Sequence, residues 1–114
     1  MKLILTALTV AGALTASGAS AFDPEDVQKL KDTNECVECD LTDADLADFV
    51  LVDANIRRSN LEGVNLQRAD LLRANLWGAN LKGGNLEDAN LSRVNLRGAN
   101  LINTNLKGAN LKRI

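Results

Sequence analysis

Residues 74–100 read ANLWGANLKGGNLEDANLSRVNLRGAN, and through that stretch a leucine returns at every fifth position with an asparagine directly before it. Followed outward, the beat is kept by Leu41, Leu46, Leu51, Ile56, Leu61, Leu66, Leu71, Leu76, Leu81, Leu86, Leu91, Leu96, Leu101, Leu106 and Leu111. The residue before each centre is Asp or Asn, except Val50. The one before that is small in most units, and only Phe49 is large there. A period of five suits neither regular element. At about 100° per residue a helix scatters the centres over every face. On a flat strand the odd spacing sends them alternately to opposite faces. A chain that bends once per unit can aim every centre at one axis. Asn favours such bends because its side chain bonds local backbone and tolerates unusual φ. The pattern predicts a solenoid, with centre and small residue inside and the two remaining positions facing solvent.

The run ANLWGANLKGGNLEDANL closely resembles the pentapeptide-repeat family, whose pattern is A(D/N)LXX, and the resemblance covers residues 39 to 113. It implies an all-β solenoid, a right-handed quadrilateral β-helix with one unit per side, about 20 residues per coil and about four coils here. Residues 39–114 would form this β-helix, held by stacking, so that no unit is stable alone. Phe49 and Val50 break the pattern: either the ring fills the mouth of the first coil or the coil bulges there.

Upstream, MKLILTALTVAGALTASGASA (1–21) has Lys2, an apolar run from Leu3 to Leu14 and the small residues Ala19, Ser20 and Ala21. It reads as a cleavable signal peptide too short to span a bilayer. The expected mature chain starts at Phe22, works in the periplasm or outside the cell, and has no transmembrane segment. Residues 22–38 read as a cap. Asp23 suits an N-cap, Pro24 the first helical position, and a short helix runs to about Asp32, placed to cover the first coil.

Cys36 and Cys39 lack the strand-then-helix setting of a redox pair, and with no histidine in the chain they make only half of a zinc site. Their positions suggest a structural role, Cys39 as the small inward residue and Cys36 as the centre of a degenerate unit. Such pairs resemble those of exported family members, which implies a disulfide that locks cap to solenoid in an oxidising compartment.

The net charge of −2 hides an asymmetry: Phe22–Asp53 holds eleven acids against Lys29 and Lys31, and Ala54–Ile114 ten bases against Glu62, Asp70, Glu87 and Asp88. If residues twenty apart stack, Trp77 lies between Arg57 and Arg97, Asp48 over Arg68 over Asp88, Glu62 over Lys82, and Glu87 over Lys107. Asp53 then heads a row of Arg73, Arg93 and Arg113. That row and Trp77 form the candidate contact surface. An enzyme is not expected: there is no His or Tyr, and Asp43, Asp48 and Asp53 fall on successive sides, too far apart for a general acid/base pair. No metal or cofactor is expected. The leading reading is an exported, non-enzymatic scaffold with a protein partner or an anionic envelope surface. The resemblance also implies an alternative, a DNA-mimicking gyrase-binding protein of the quinolone-resistance type. An export signal, a short rod and a basic body speak against that and against any nucleic-acid partner. The open C-terminal coil is a candidate homodimer interface, as in dimeric family members.

Overall fold

A computed structural model of the protein describes residues 22–114. The expected signal peptide lies outside the described residues. Twelve parallel bridges, from Glu35 with Asn55 to Asn90 with Asn110, each join residues twenty apart. Four five-residue units therefore complete one circuit, and the chain has four sides. Between successive coils the contacts are backbone hydrogen bonds. Leu41 N–H donates to Asn60 O (2.8 Å), Asp43 N–H to Glu62 O (2.8 Å), and Asn60 N–H returns to Cys39 O (2.9 Å). The same set recurs lower down as Leu86 to Asn105 (2.8 Å), Asp88 to Lys107 (2.9 Å) and Asn105 to Gly84 (2.9 Å). The ladder begins at Glu35, one unit earlier than residue 39.

Most corners are β-turns closed from the small residue back to the preceding centre, as in Ala44 N–H to Leu41 O at 3.1 Å, while at Cys39 the N–H goes to Ser59 Oγ instead. The positive φ falls on the third turn residue, two after the centre: Asp43 at 59°, Arg73 at 59°, Gly98 at 74°. Positive φ at that position alone is the type II signature. The structure thus corrects the expected role of Asn, which is the extended, bridge-forming residue and not the left-handed one. Its side chain does bond local backbone, two residues on, as when Asn75 Oδ1 accepts Trp77 N–H at 3.0 Å. Some of these amides also link coils, Asn105 Nδ2 to Asn85 Oδ1 at 3.2 Å and Asn90 Nδ2 to Asp70 Oδ1 at 3.0 Å.

Centres from Leu41 to Leu91 are at most 2% exposed and fill the interior with the small residues beside them. Leu96, Leu101 and Leu106 are half-buried and Leu111 is 42% exposed, because no described residues stack on the coil that holds them.

The other end is covered. α1 (Pro24–Thr33) starts at N-cap Asp23, whose side chain accepts Glu25 N–H, and ends where Asn34 turns left-handed and its N–H reaches Leu30 O. Glu25 and Asp26 in the first turn and Lys31 in the last suit the helix dipole. Leu30 is buried against the first coil. Lys31 Nζ stands 6.0 Å from the centroid of Phe49, whose ring packs half-buried against the core while Val50 is 74% exposed. The cap also pairs backbone groups that in other coils would bond a coil above. Asp23 N–H donates to Asp40 O (3.0 Å), Asp26 Oδ2 accepts Asp40 N–H (2.8 Å), and Asn34 Nδ2 donates to Val52 O (2.8 Å).

Cys36 and Cys39 form a disulfide. Both belong to the first coil, so the bond staples one turn and does not tie the helix covalently to the solenoid. The helix rests on it by packing, with Asp26 O 3.3 Å from Cys36 Sγ. The turn the disulfide spans borrows a hydroxyl from the next coil: buried Ser59 Oγ accepts Cys39 N–H (3.0 Å) and donates to Cys36 O (2.5 Å).

Leu71→Ala should lower unfolding stability by about 2–5 kcal/mol in urea titration, whereas Leu111→Ala should change it by no more than about 0.5 kcal/mol. Equal losses would contradict the buried and open ends described here. Ser59→Ala should cost about 1–3 kcal/mol, because it leaves a buried donor and acceptor unpaired, and an unchanged urea midpoint would show that the hydroxyl is dispensable.

Candidate functional site

The twenty-residue register sorts the outward residues onto sides. The first side holds 35–39, 55–59, 75–79 and 95–99; the second holds 40–44, 60–64, 80–84 and 100–104. The third holds 45–49, 65–69, 85–89 and 105–109; the fourth holds 50–54, 70–74, 90–94 and 110–114. The fourth side runs directly into the first, so these two share a corner.

At the left-handed position of each unit the side chain points outward, and members of one column can meet. Where the first two coils stack, this gives three ion pairs on three sides. Arg68 Nε donates to Asp48 Oδ1 (2.9 Å) and Arg73 Nε to Asp53 Oδ1 (2.7 Å), each with a second guanidinium bond, and Arg58 pairs with Glu38. On the remaining side Asp43 hangs over Gly63, where an added Cβ would collide with Asp43 Oδ1. Hydrogen bonds from Arg68 and Arg73 hold the carboxyls of Asp48 and Asp53 below the usual carboxylate range. The same bonds raise the two guanidinium groups.

Several expected columns behave otherwise. Asp88 contributes only a longer-range attraction to Arg68, since its carboxylate lies over Gly108. Among the described residues, Glu62 with Lys82 and Glu87 with Lys107 form no ion pairs. Glu87 instead accepts from Gln67 Nε2 at 2.8 Å. Trp77, 40% exposed, is not clasped by Arg57 and Arg97. The cation near its ring is Arg58, 5.9 Å from the centroid. Residue 58 precedes Gly78 by one coil, and its stem crosses the space a side chain there would take. The diagonal spacing of nineteen was the only sequence signal for this contact.

The expected arginine row does form one column. Arg73 is paired with Asp53, but Arg93 and Arg113 carry no acid partner among the described residues. Neither do Arg57, Arg97 or Lys112. For residues 54–114 the first side carries Arg57, Arg58 and Arg97 with no acid, and the fourth carries Arg73, Arg93, Lys112 and Arg113 against Asp70. That is +3 on each side. On the second side Glu62 balances Lys82, and on the third Arg68 and Lys107 balance Glu87 and Asp88. All the excess positive charge of the lower coils therefore faces one edge of the rod, with Trp77 within it.

Asp26, Cys36 and Cys39 bring possible metal-ligand atoms within 4.8 Å of one another, but sulfurs joined to each other are not thiolate ligands. Among the described residues no helix is long and apolar enough to cross a membrane.

A solenoid stepping five residues per side, with leucine inside and Asn or Asp at each bridge, defines a repeat protein of the pentapeptide class. The family profile "Pentapeptide repeats (8 copies)" matches residues 35–73 and 74–113, and the chain belongs to that family. It is similar to the solved structure of HetL, a pentapeptide repeat protein involved in heterocyst differentiation regulation from the cyanobacterium Nostoc sp. strain PCC 7120. The two share 39% identity over 69% of this chain at a TM-score of 0.66. The match spans only 37% of HetL. Rfr23, a pentapeptide repeat protein from the cyanobacterium Cyanothece 51142, matches at 26% identity over 78% of this chain and 95% of its own, with a TM-score of 0.42. No curated protein matches the chain significantly.

The depressed carboxyls predict a pH dependence. Because Asp48 and Asp53 titrate lower in the folded than in the unfolded chain, their stabilisation is complete above the unfolded pKa and disappears as pH falls through the folded one. In a pH 6 to 2 melting series, the Asp48→Asn/Asp53→Asn double variant should lose less melting temperature than the parent on the acid side. Parallel curves would mean that these exposed pairs contribute nothing.

Proposed function

We propose that this protein is a non-enzymatic, exported scaffold whose work is done by its outer surface, built as a right-handed four-sided β-helix of about four coils. The observation that carries the reading is the solid interior. Aliphatic centres at most 2% exposed fill the axis from Leu41 to Leu91, so chemistry is left to side chains displayed on four separate sides. The acids Asp43, Asp48 and Asp53 stand on different sides, and Asp48 and Asp53 are held by arginines, which suits a structural role better than acid/base catalysis. The Cys36–Cys39 disulfide supports an oxidising compartment, in keeping with the leader-like residues 1–21.

HetL is described as involved in regulating heterocyst differentiation. For the present chain that relationship supports a role through contacts with other macromolecules. The half-buried Leu96, Leu101 and Leu106 and the exposed Leu111 support a second copy as one such contact, across the last coil. The basic edge favours an anionic partner over imitation of DNA, which calls for an acidic surface.

The test is crosslinking in intact cells, then fractionation and mass spectrometry. The expected result is recovery outside the cytoplasm with Phe22 at the N-terminus, crosslinks from the Trp77 edge to a partner, and homotypic crosslinks at the last coil. Cytoplasmic recovery with residues 1–21 retained would overturn the export reading, and a monomer without crosslinks would overturn the scaffold reading.

A further inference from the structure

The concentration of charge on one edge goes beyond a generally basic body. Arg93 and Arg113 lie in one column of the fourth side, and Arg57 and Arg97 flank Trp77 in the adjoining column of the first. Among the described residues none of these four arginines has an acid partner. Gly98 follows Arg97 and leaves the backbone bare beside it, whereas at Gly78, after Trp77, the stem of Arg58 crosses the free space and brings a further guanidinium to the indole. Coils stack at roughly 4.8 Å, so Arg93 and Arg113 stand one coil apart and Arg57 and Arg97 two coils apart. Guanidinium groups match carboxylates bidentately and hold their charge at every physiological pH.

From this arrangement we infer that the edge binds a linear polymer of uronic acid lying parallel to the rod axis. Such a chain carries one carboxylate per sugar ring, and because successive rings are turned about the chain axis, carboxylates on one face recur every second ring or so, a separation that Arg57 and Arg97, two coils apart, can meet. A pyranose also has an apolar face of C–H groups that stacks on an indole, the contact an exposed tryptophan among cations can supply. Other anionic macromolecules fit less well. Single-stranded nucleic acid is held on several aromatic platforms, and this edge has one. A membrane surface is gripped by a broad apolar face, and beside Trp77 the two sides offer Val50, Val52, Leu72, Leu111 and Ile114 scattered over separate coils with arginines between them. The inference rests on the proposed binding, non-enzymatic role and names its partner.

Trp77 is the only tryptophan, so its emission reports from the edge itself. The disulfide-bonded protein is titrated with oligogalacturonates of one to six residues, and neutral dextran oligomers serve as control. The expected result is a saturable emission change with oligogalacturonate alone, tightening with length up to about the number of coils on the edge and weakening as salt screens the charges. Arg93→Glu/Arg97→Glu should weaken binding by roughly tenfold or more. Lys82→Glu/Lys107→Glu, the same charge change on the second and third sides, should leave it within about twofold. Melting curves establish that both variants are folded. No emission change, equal losses in the two variants, or binding only to phosphatidylglycerol vesicles or an oligothymidylate would each overturn the proposal. Cleavage of the polymer, seen as new reducing ends, would overturn the non-enzymatic reading while leaving the binding site standing.

Discussion

Everything in this molecule hangs on backbone hydrogen bonds between residues about one coil apart. No side of the rod has partners within its own five residues beyond a single turn bond, so each must find them on the coil before or after it. That is a steep requirement, because a buried amide without a partner costs about as much as a well-made hydrogen bond contributes. The leucines supply apolar burial, but hydrophobic attraction is non-directional and fixes no register. The bridges do, by aligning residue 35 with 55, 40 with 60 and so on down the rod.

Once the register is fixed, the surface is ordered too. A left-handed residue at each corner costs roughly 1–2 kcal/mol when it is not glycine, yet Asp, Arg and Glu occupy many of these corners. The same corners form the columns in which Asp48 meets Arg68 and Asp53 meets Arg73. At two of the glycine corners a neighbour fills the space a side chain would take, Asp43 over Gly63 and Asp88 over Gly108, whereas the space at Gly83 is open. The first coil is acidic and the second supplies arginines, so part of the lengthwise charge asymmetry is absorbed as contacts between these coils. The net positive charge of the lower coils collects on two adjoining sides, and that excess gives the rod a direction.

The two ends are treated differently. At the first coil, helix α1 covers the core with Leu30 and pairs the free amide and carbonyl of Asp40. The disulfide and Ser59 stiffen the same coil from inside, where the wider Cys39 replaces the usual alanine. Among the described residues nothing covers the last coil in this way, and its leucines grade from half-buried to exposed. A solenoid unit cannot bury its core alone, so that end is where another surface has most to gain by docking.

The period of five by itself determined the solenoid, the inward leucines and the columns in which residues stack, because an integer repeat maps directly onto a repeating backbone. The helix was equally legible, since Asp23, Pro24 and the flanking charges act through local hydrogen bonding and the helix dipole. Which partner each polar side chain takes, within its column or across to the next, was not legible. Arg58 reaches Trp77 diagonally, Ser59 reaches into the turn of Cys36 and Cys39, and Glu87 chooses Gln67 over Lys107. Long side chains settle among several neighbours according to rotamer and space, which spacing does not encode. The side-by-side placement of the two basic columns also waited on the tertiary structure: the chain must close its fourth side against its first before residues on separate sides become one surface.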